Sequence, residues 1–441
     1  MGKTVKGKTG RDTRVSKYLA RSLVVRNSAN LKQLEVEINV VDLEPCDIFN
    51  DILTICPNLK RLKIHKHPQP FPKPVDSWLI APMHPIPLTQ LIFVNSELAW
   101  LKHLIPKCPQ LQHIACVPKS SRYDDHQVLE LAIKHCPRLQ SFRVGEMEHI
   151  HAFPDNSLVY KRETTGIIDW TIINVSTVDN AASRFLEKNH LTLEGLSLPM
   201  ESLDPFYKTL TTLGLVNVPR LRKIDLNKTT GLTTQRLSSP DLIVIIQNCS
   251  ALETLWIANA AVVDDNVLFS LQHLQRLKDL EMTADISSRS GLHSFFSSAP
   301  CLKNVHVVLR EPTFIASCLL CIAQSTTLIN LKLSSLYFMS LSGLEEFATS
   351  LRAPLQTLKI QSTRGSVVKE DDDLTPLTRM PHLRHVELSS CLPSLRDKLR
   401  ALSMNNTRIQ IDIDILPAFQ FGTSHKKSDA LRIQRGEVQQ L

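Results

Sequence analysis

Glycine is scarce in this chain, at 13 of 441 residues. A backbone cradle around a phosphate group therefore has few places to form. The sequence carries no G-x-S-x-G nucleophile elbow, no H-E-x-x-H zinc helix and no quartet of zinc ligands, and no working phosphate loop is expected in it. The expectation is a protein that is not an enzyme, with no cofactor, no metal ion and no catalytic residues. Aromatic residues are few as well, at 5%, while apolar residues make up 43%, so aliphatic side chains must fill the core. No apolar run approaches the ~18 residues of a membrane span, and no membrane partner is expected. Ten cysteines in this length do not form a disulfide framework. With no signal peptide, they indicate a reducing compartment, cytoplasmic and/or nuclear. The sequons at Asn174, Asn227, Asn248 and Asn405 are read as chance.

What the chain does have is leucine at a regular period. The core L-x-x-L-x-L begins at Leu59, Leu88, Leu111, Leu139, Leu193, Leu221, Leu252, Leu277, Leu302, Leu328, Leu355 and Leu383. Most steps between these anchors are 25 to 31 residues, with one of 23 and one double gap of 54. A degenerate copy, Ile167, Trp170 and Ile172, divides that gap, and Leu31, Leu34 and Val36 add a copy at the front. The total is fourteen units. The L-x-L alternation predicts a short strand with one buried face. Helical spacing follows in Val128 to Cys136, Leu268 to Leu274, Leu292 to Phe296, Phe314 to Ile322 and Leu341 to Leu351. One strand and one helix per ~20–29 residues is the leucine-rich repeat unit. Such units bury their apolar faces only by stacking. The expected fold class is α/β, a leucine-rich repeat solenoid curved like a horseshoe, with parallel strands on the concave face and helices and loops on the convex face.

Cys56, Cys108, Cys136 and Cys249 stand three residues before an anchor leucine. Pro57, Pro109, Pro137, Pro219, Pro300 and Pro381 stand two before one. This C-P-x-L-x-x-L-x-L form resembles the cysteine-containing (RNI-like) repeats of the F-box/LRR proteins over roughly residues 28–415. The resemblance implies a substrate receptor of a cullin-type ubiquitin ligase, with cullin ligase subunits among its partners. The first thirty residues hold no L-P-x-E-like F-box start, and only Cys391 supplies the cysteine expected eight positions after an anchor.

Three segments are expected. Residues 1–27 form a basic tail, in which Lys3, Lys6, Lys8, Arg11, Arg14, Lys17, Arg21 and Arg26 face Asp12 alone. It reads as solvated and disordered, the alternative being a nuclear-import or nucleic-acid arm. No aromatic–basic alternation favours base stacking, so nucleic acid is not the expected partner. Tyr18, Leu19, Leu23 and Val24 suggest a helix that either caps the first repeat or ends a longer N-terminal domain. Residues 28–415 form the solenoid and residues 416–441 a polar, loose tail, with Ile409 to Ile413 as a last, capping strand. Seven prolines between Pro68 and Pro87 forbid a regular helix there. They leave extended backbone or a docking segment. The pairs His65/His67 and His149/His151 lack further ligands and read as surface histidines, and Cys318/Cys321 sits in apolar sequence and reads as core packing and not as a zinc or redox site. The charged run Lys369 to Asp373 reads as a solvated loop on the convex side.

Residues at anchor +2, +4 and +6 should point away from the core on the concave face. The partner-binding candidates chosen from that map are Arg61, Lys63, Arg143, Asp225, Trp256 and Glu281. Trp256 is the expected anchor, with Asp225 and Glu281 on the strands to either side. It either accepts an apolar or basic side chain of a partner or lies flat over aliphatic neighbours. The expected function is a protein–protein interaction solenoid, acting as a monomer within a hetero-complex. A non-ligase scaffold or regulator, GTPase-regulator-like or nuclear, is the alternative.

Overall fold

The computed structural model describes residues 4–7, 28–38, 56–66, 85–96, 101–102, 104–118, 131–144, 169–172, 189–197, 218–226, 237–258, 263–284, 289–311, 314–335, 343–362, 373–391, 396–405, 408–415, 429–434 and 437–440. Two compact units divide the chain. The first is residues 1–220 with 228–233, and the second is residues 221–227 with 234–441.

The C-P-x-L stretch explains how each repeat begins. The amide of Leu59 donates to the carbonyl of Cys56 at 3.2 Å, and Leu111 to Cys108, Leu139 to Cys136 and Leu252 to Cys249 each do so at 3.1 Å. Each closes a four-residue turn. Proline belongs at its second position because its fixed φ suits that corner and its missing N–H is not needed there. The turn aims the anchor leucine inward, and Leu59, Leu111 and Leu252 are fully buried. Two consecutive amides then bond back to one carbonyl of the preceding repeat. Lys60 and Arg61 donate to Lys32, Thr89 and Gln90 to Lys60, and Lys303 and Asn304 to Lys278. This link sets the register between strands.

In the first unit the strands are β1 (Thr4–Gly7), β2 (Gln33–Ile38), β3 (Arg61–Lys66), β4 (Gln90–Ser96), β5 (His113–Pro118), β6 (Ser141–Val144), β7 (Asp169–Ile172) and β8 (Gly195–Ser197). All pair in parallel and in sequence order. The degenerate repeat takes its predicted place, with Trp170 opposite Phe142 on one side and Leu196 on the other. Strand β1 differs from the expected loose tail. Its backbone pairs Thr4 to Gln33 and covers the edge that β2 would otherwise leave open. The suggested helix at 16–27, the proline-rich residues 68–84 and His149 and His151 lie outside the described residues.

In the second unit β9 (Lys223–Asp225), β10 (Thr254–Trp256), β11 (Asp279–Ala284), β12 (Asn304–Leu309), β13 (Asn330–Ser335), β14 (Thr357–Ser362), β15 (His385–Cys391) and β16 (Gln410–Ile415) are parallel and sequential. The array does not end on β16 as expected. The antiparallel strands β17 (Asp429–Gln434) and β18 (Glu437–Gln440) follow, where a loose tail was predicted. Their direction marks the end of the repeat, since an antiparallel strand needs no crossover helix.

The helices of this unit are α1 (Ser239–Asn248), α2 (Asp265–Leu271), α3 (Arg289–Ser298), α4 (Ile315–Ile322), α5 (Leu344–Ser350), α6 (Pro376–Arg379) and α7 (Arg396–Asn405). Helices α1 to α6 pack in a row, each against the next. Ser238 caps α1 by accepting from the Asp241 amide, and Asp264 caps α2 by accepting from Val267 at 2.9 Å. Burial in β12, β13 and β14 alternates strictly, with Val305, Val307 and Leu309 inward and Asn304 and His306 partly exposed. Both units are α/β leucine-rich repeat arrays, and the fold is a leucine-rich repeat solenoid.

Candidate functional site: the strand face of the second unit

The parallel register places equivalent residues side by side on the strand face away from the helices. One row runs Asp225, Trp256, Glu281, His306, Lys332, Lys359, Glu387 and Asp412. A second row, two residues earlier on each strand, runs Lys223, Thr254, Asp279, Asn304, Asn330, Thr357, His385 and Gln410. Three of the six candidates, Asp225, Trp256 and Glu281, are thus in-register neighbours, as the repeat predicts.

Their environments depart from the expectation in two respects. Asp225 is 2% exposed and is not an open acidic contact. Trp256 is partly exposed, and its ring carries a cation supplied by the same chain. The Lys223 ammonium stands over its ring, 4.3 Å from the centroid, in a cation–π contact made within the chain. One face of the ring is therefore occupied from within the chain.

Beside Trp256 the side chains form two hydrogen-bonded chains. Glu281 Oε1 meets His306 Nδ1 at 2.9 Å, and His306 Nε2 meets Ser334 Oγ at 2.8 Å. Thr254 Oγ1 donates to Asp279 Oδ2 at 3.0 Å, Asn304 Nδ2 donates to the other oxygen of Asp279, and Asn330 Nδ2 donates to Asn304 Oδ1 at 2.6 Å. Farther along, Lys359 pairs with Glu387 at 2.6 Å, and His385 lies 3.6 Å from Asp412. Such a ladder fixes side chains that would otherwise lose rotamer freedom on binding, so the face is preorganised.

The other three candidates lie in the first unit. Lys63 on β3 and Arg143 on β6 share one row, with Ile92 on β4 and Ala115 on β5 between them. Arg61 starts β3. The strand face is not open across this row. Ile92, Val94 and Ala115 form a buried apolar cluster at 2%, 1% and 0% exposure, on the side opposite the inward leucines. The signal was present in the sequence, because Leu91-Ile92-Phe93-Val94 is a continuous apolar run and not an alternation, the mark of a strand buried on both faces.

The cysteines behave as packing groups. Cys56, Cys108, Cys136, Cys249, Cys318 and Cys321 are all buried. Cys136 Sγ lies 3.6 Å from the carbonyl of Cys108 in the preceding repeat, which suits a small, weakly donating side chain at that position. Burial pushes the Cys136 and Cys249 thiols up to about 12 and raises Cys318 further still. Cys318 and Cys321 both sit in α4, whose apolar filling fits the core reading. Of the charged run, Asp373 is described. It accepts from the Thr375 amide at 2.9 Å, and its carboxyl is held below the usual range by the Thr375 hydrogen bonds.

One motif went unnoticed in the sequence. Gly2 to Thr9 reads G-K-T-V-K-G-K-T, which matches the letters of a phosphate loop. That loop curls its amides around an anion, whereas Thr4–Gly7 is extended in β1 and paired with β2. Among the described residues there is no group of three potential metal ligands and no helix long and apolar enough to cross a membrane. A cleft of about 620 Å³ opens on the helix side, lined by Asp265, Arg289, Ser290 and His293 among others.

No protein-family model matches the chain, and no curated protein sequence matches it. Among solved structures, yeast Rad7, in a crystal structure of the Rad7 and Elc1 complex, is 14% identical, with 68% of this chain and 76% of that chain covered and a TM-score of 0.42. TLR13, in a complex with ssRNA13, is 13% identical, with 81% and 49% covered and a TM-score of 0.35. LegL7, a leucine-rich repeat-containing protein from Legionella pneumophila, is 12% identical, with 74% and 83% covered and a TM-score of 0.27.

Proposed function

We propose that this chain is a protein-recognition solenoid whose binding surface is the strand face of the second unit. The observation that carries the reading is Trp256, partly exposed beside a set of ordered polar side chains. Tryptophan with charged neighbours is the usual composition of an interface hot spot, and ordering it beforehand lowers the cost of association. The C-P-x-L-x-x-L-x-L repeat, resembling that of the F-box/LRR proteins, supports the more specific role of substrate receptor in a cullin-type ubiquitin ligase.

Affinity capture of the full chain from cells that express it, followed by mass spectrometry, tests the specific role. Recovery of a cullin with its linker protein in near-stoichiometric amount is expected. Reproducible partners without any ligase subunit would overturn the receptor role while leaving protein recognition standing.

A further inference from the structure

The turns that open β11 to β15 carry a charge that the strand face does not. Each turn ends on a residue whose carbonyl accepts from amides of the next repeat, which sets Lys278, Lys303, Ile329, Gln356 and Arg384 in one row. Arg276 stands within the turn that leads to Leu277, and Arg352 just past the end of α5. The five turn segments, residues 272–278, 299–303, 323–329, 351–356 and 380–384, hold these five Lys and Arg residues and no Asp or Glu. The adjoining carboxylates are Glu253, which pairs with Lys278 at 2.6 Å, and Asp279, so five cations against two acids leave an excess of three. Arg276, Lys303, Arg352 and Arg384 are exposed, and none of the four side chains makes a hydrogen bond or ion pair among the described residues. From β11 to β15 is four strand steps, about 19 Å at the usual separation.

Uncommitted cations spread along such a line fit a ligand that is charged along its length. The turns offer little else. No exposed Phe, Tyr, Trp or large aliphatic side chain stands in them. A protein partner is held by apolar or aromatic anchors at the centre of its interface, and a single-stranded nucleic acid by aromatic rings that stack its bases. A duplex needs neither, because its bases are stacked inside and its phosphates present about one charge per 1.7 Å of axis. We infer that this turn edge binds the phosphate backbone of double-stranded DNA without regard to sequence. The expectation against nucleic acid rested on missing base-stacking aromatics, which bears on single strands alone. The surface is separate from the Trp256 rows, so this inference stands or falls apart from the protein-recognition reading.

The test is fluorescence anisotropy of a labelled 20-base-pair DNA duplex titrated with the full chain, from 50 to 300 mM salt. Three forms are compared: wild type, the ridge variant Arg276→Gln/Lys303→Gln/Arg384→Gln, and the tail variant Arg11→Gln/Arg14→Gln/Lys17→Gln. Circular dichroism would confirm that all three fold. The ridge variant should bind roughly tenfold or more weakly, and its plot of log affinity against log salt should be about 2.7 shallower, at about 0.9 per lost phosphate contact. The tail variant should lose less affinity than the ridge variant, and duplexes of unrelated sequence should bind alike. No binding at 50 mM salt, an unchanged ridge variant, or a loss confined to the tail variant would each overturn the inference. So would a strong preference for one duplex sequence, or tighter binding of single-stranded DNA, duplex RNA or polyglutamate than of the DNA duplex.

Discussion

At the scale of single residues, burial decides which side chains can react and which only pack. Cys249 sits at the turn before β10, and its thiol is pushed up to about 12 from 9.0 by burial. A thiol shifted so far stays almost wholly in its unreactive neutral form at pH 9, and burial also keeps the reagent from it. Alkylation with iodoacetamide at pH 9, read by peptide mass spectrometry, should therefore modify the half-buried Cys301 while Cys249 stays unlabelled until the protein unfolds. Equal labelling of the two in the native state would show that the turn is not closed. The same shift has a consequence for stability. The folded state holds the proton more tightly than the unfolded one, so this contribution is complete below pH 9 and declines as the pH rises from about 9 towards 12. Trp256 shows how far single residues could be read beforehand. Its in-register neighbours were legible because the repeat fixes the register. The Lys223 cation over its ring was not, because that contact depends on a rotamer and no spacing encodes it.

At the scale of elements, turns and close approaches govern stability. Gly343 precedes α5 with φ +90°, and a Cβ there would stand 2.8 Å from the Ala316 Cβ on α4. Gly343→Ala combines a left-handed backbone with overpacking and should cost about 2–3 kcal/mol in chemical denaturation. Adding Ala316→Gly should recover part of that loss by removing the contact while the backbone strain remains. A neutral Gly343→Ala would contradict the geometry. Asp264→Ala should cost about 1 kcal/mol through loss of the α2 cap, read in the same way. Strands were the legible elements, because leucine alternation and the C-P-x-L turn mark each start. Helix α1 was not singled out, although Ser238, Pro240 and Asp241 form a recognisable helix start. β4 and β5 were read as ordinary one-sided strands because the leucine anchor drew attention from the apolar run that follows it. The strands β1, β17 and β18 lie outside the repeat and carry no periodic signal of their own.

At the scale of the whole molecule, a repeat array makes stability a sum of neighbouring contacts, with no single core. Destabilising the α4–α5 contact by Gly343→Ala should thus lower hydrogen-exchange protection in β12 to β15 before it changes β3 to β6. A uniform loss along the chain would mean one cooperative core and would contradict the repeat account. The central claim is that recognition belongs to the strand face of the second unit. It is tested most directly by affinity capture with three forms of the chain in parallel: wild type, Trp256→Ala, and Phe269→Ala on α2, where the ring is 46% exposed on the helix side. Circular dichroism would confirm that all three fold. The account predicts that partners recovered with the wild type are lost, by tenfold or more, with Trp256→Ala and kept with Phe269→Ala, as for removal of a hot-spot aromatic. Equal recovery with Trp256→Ala, or loss with Phe269→Ala alone, would place the binding surface elsewhere.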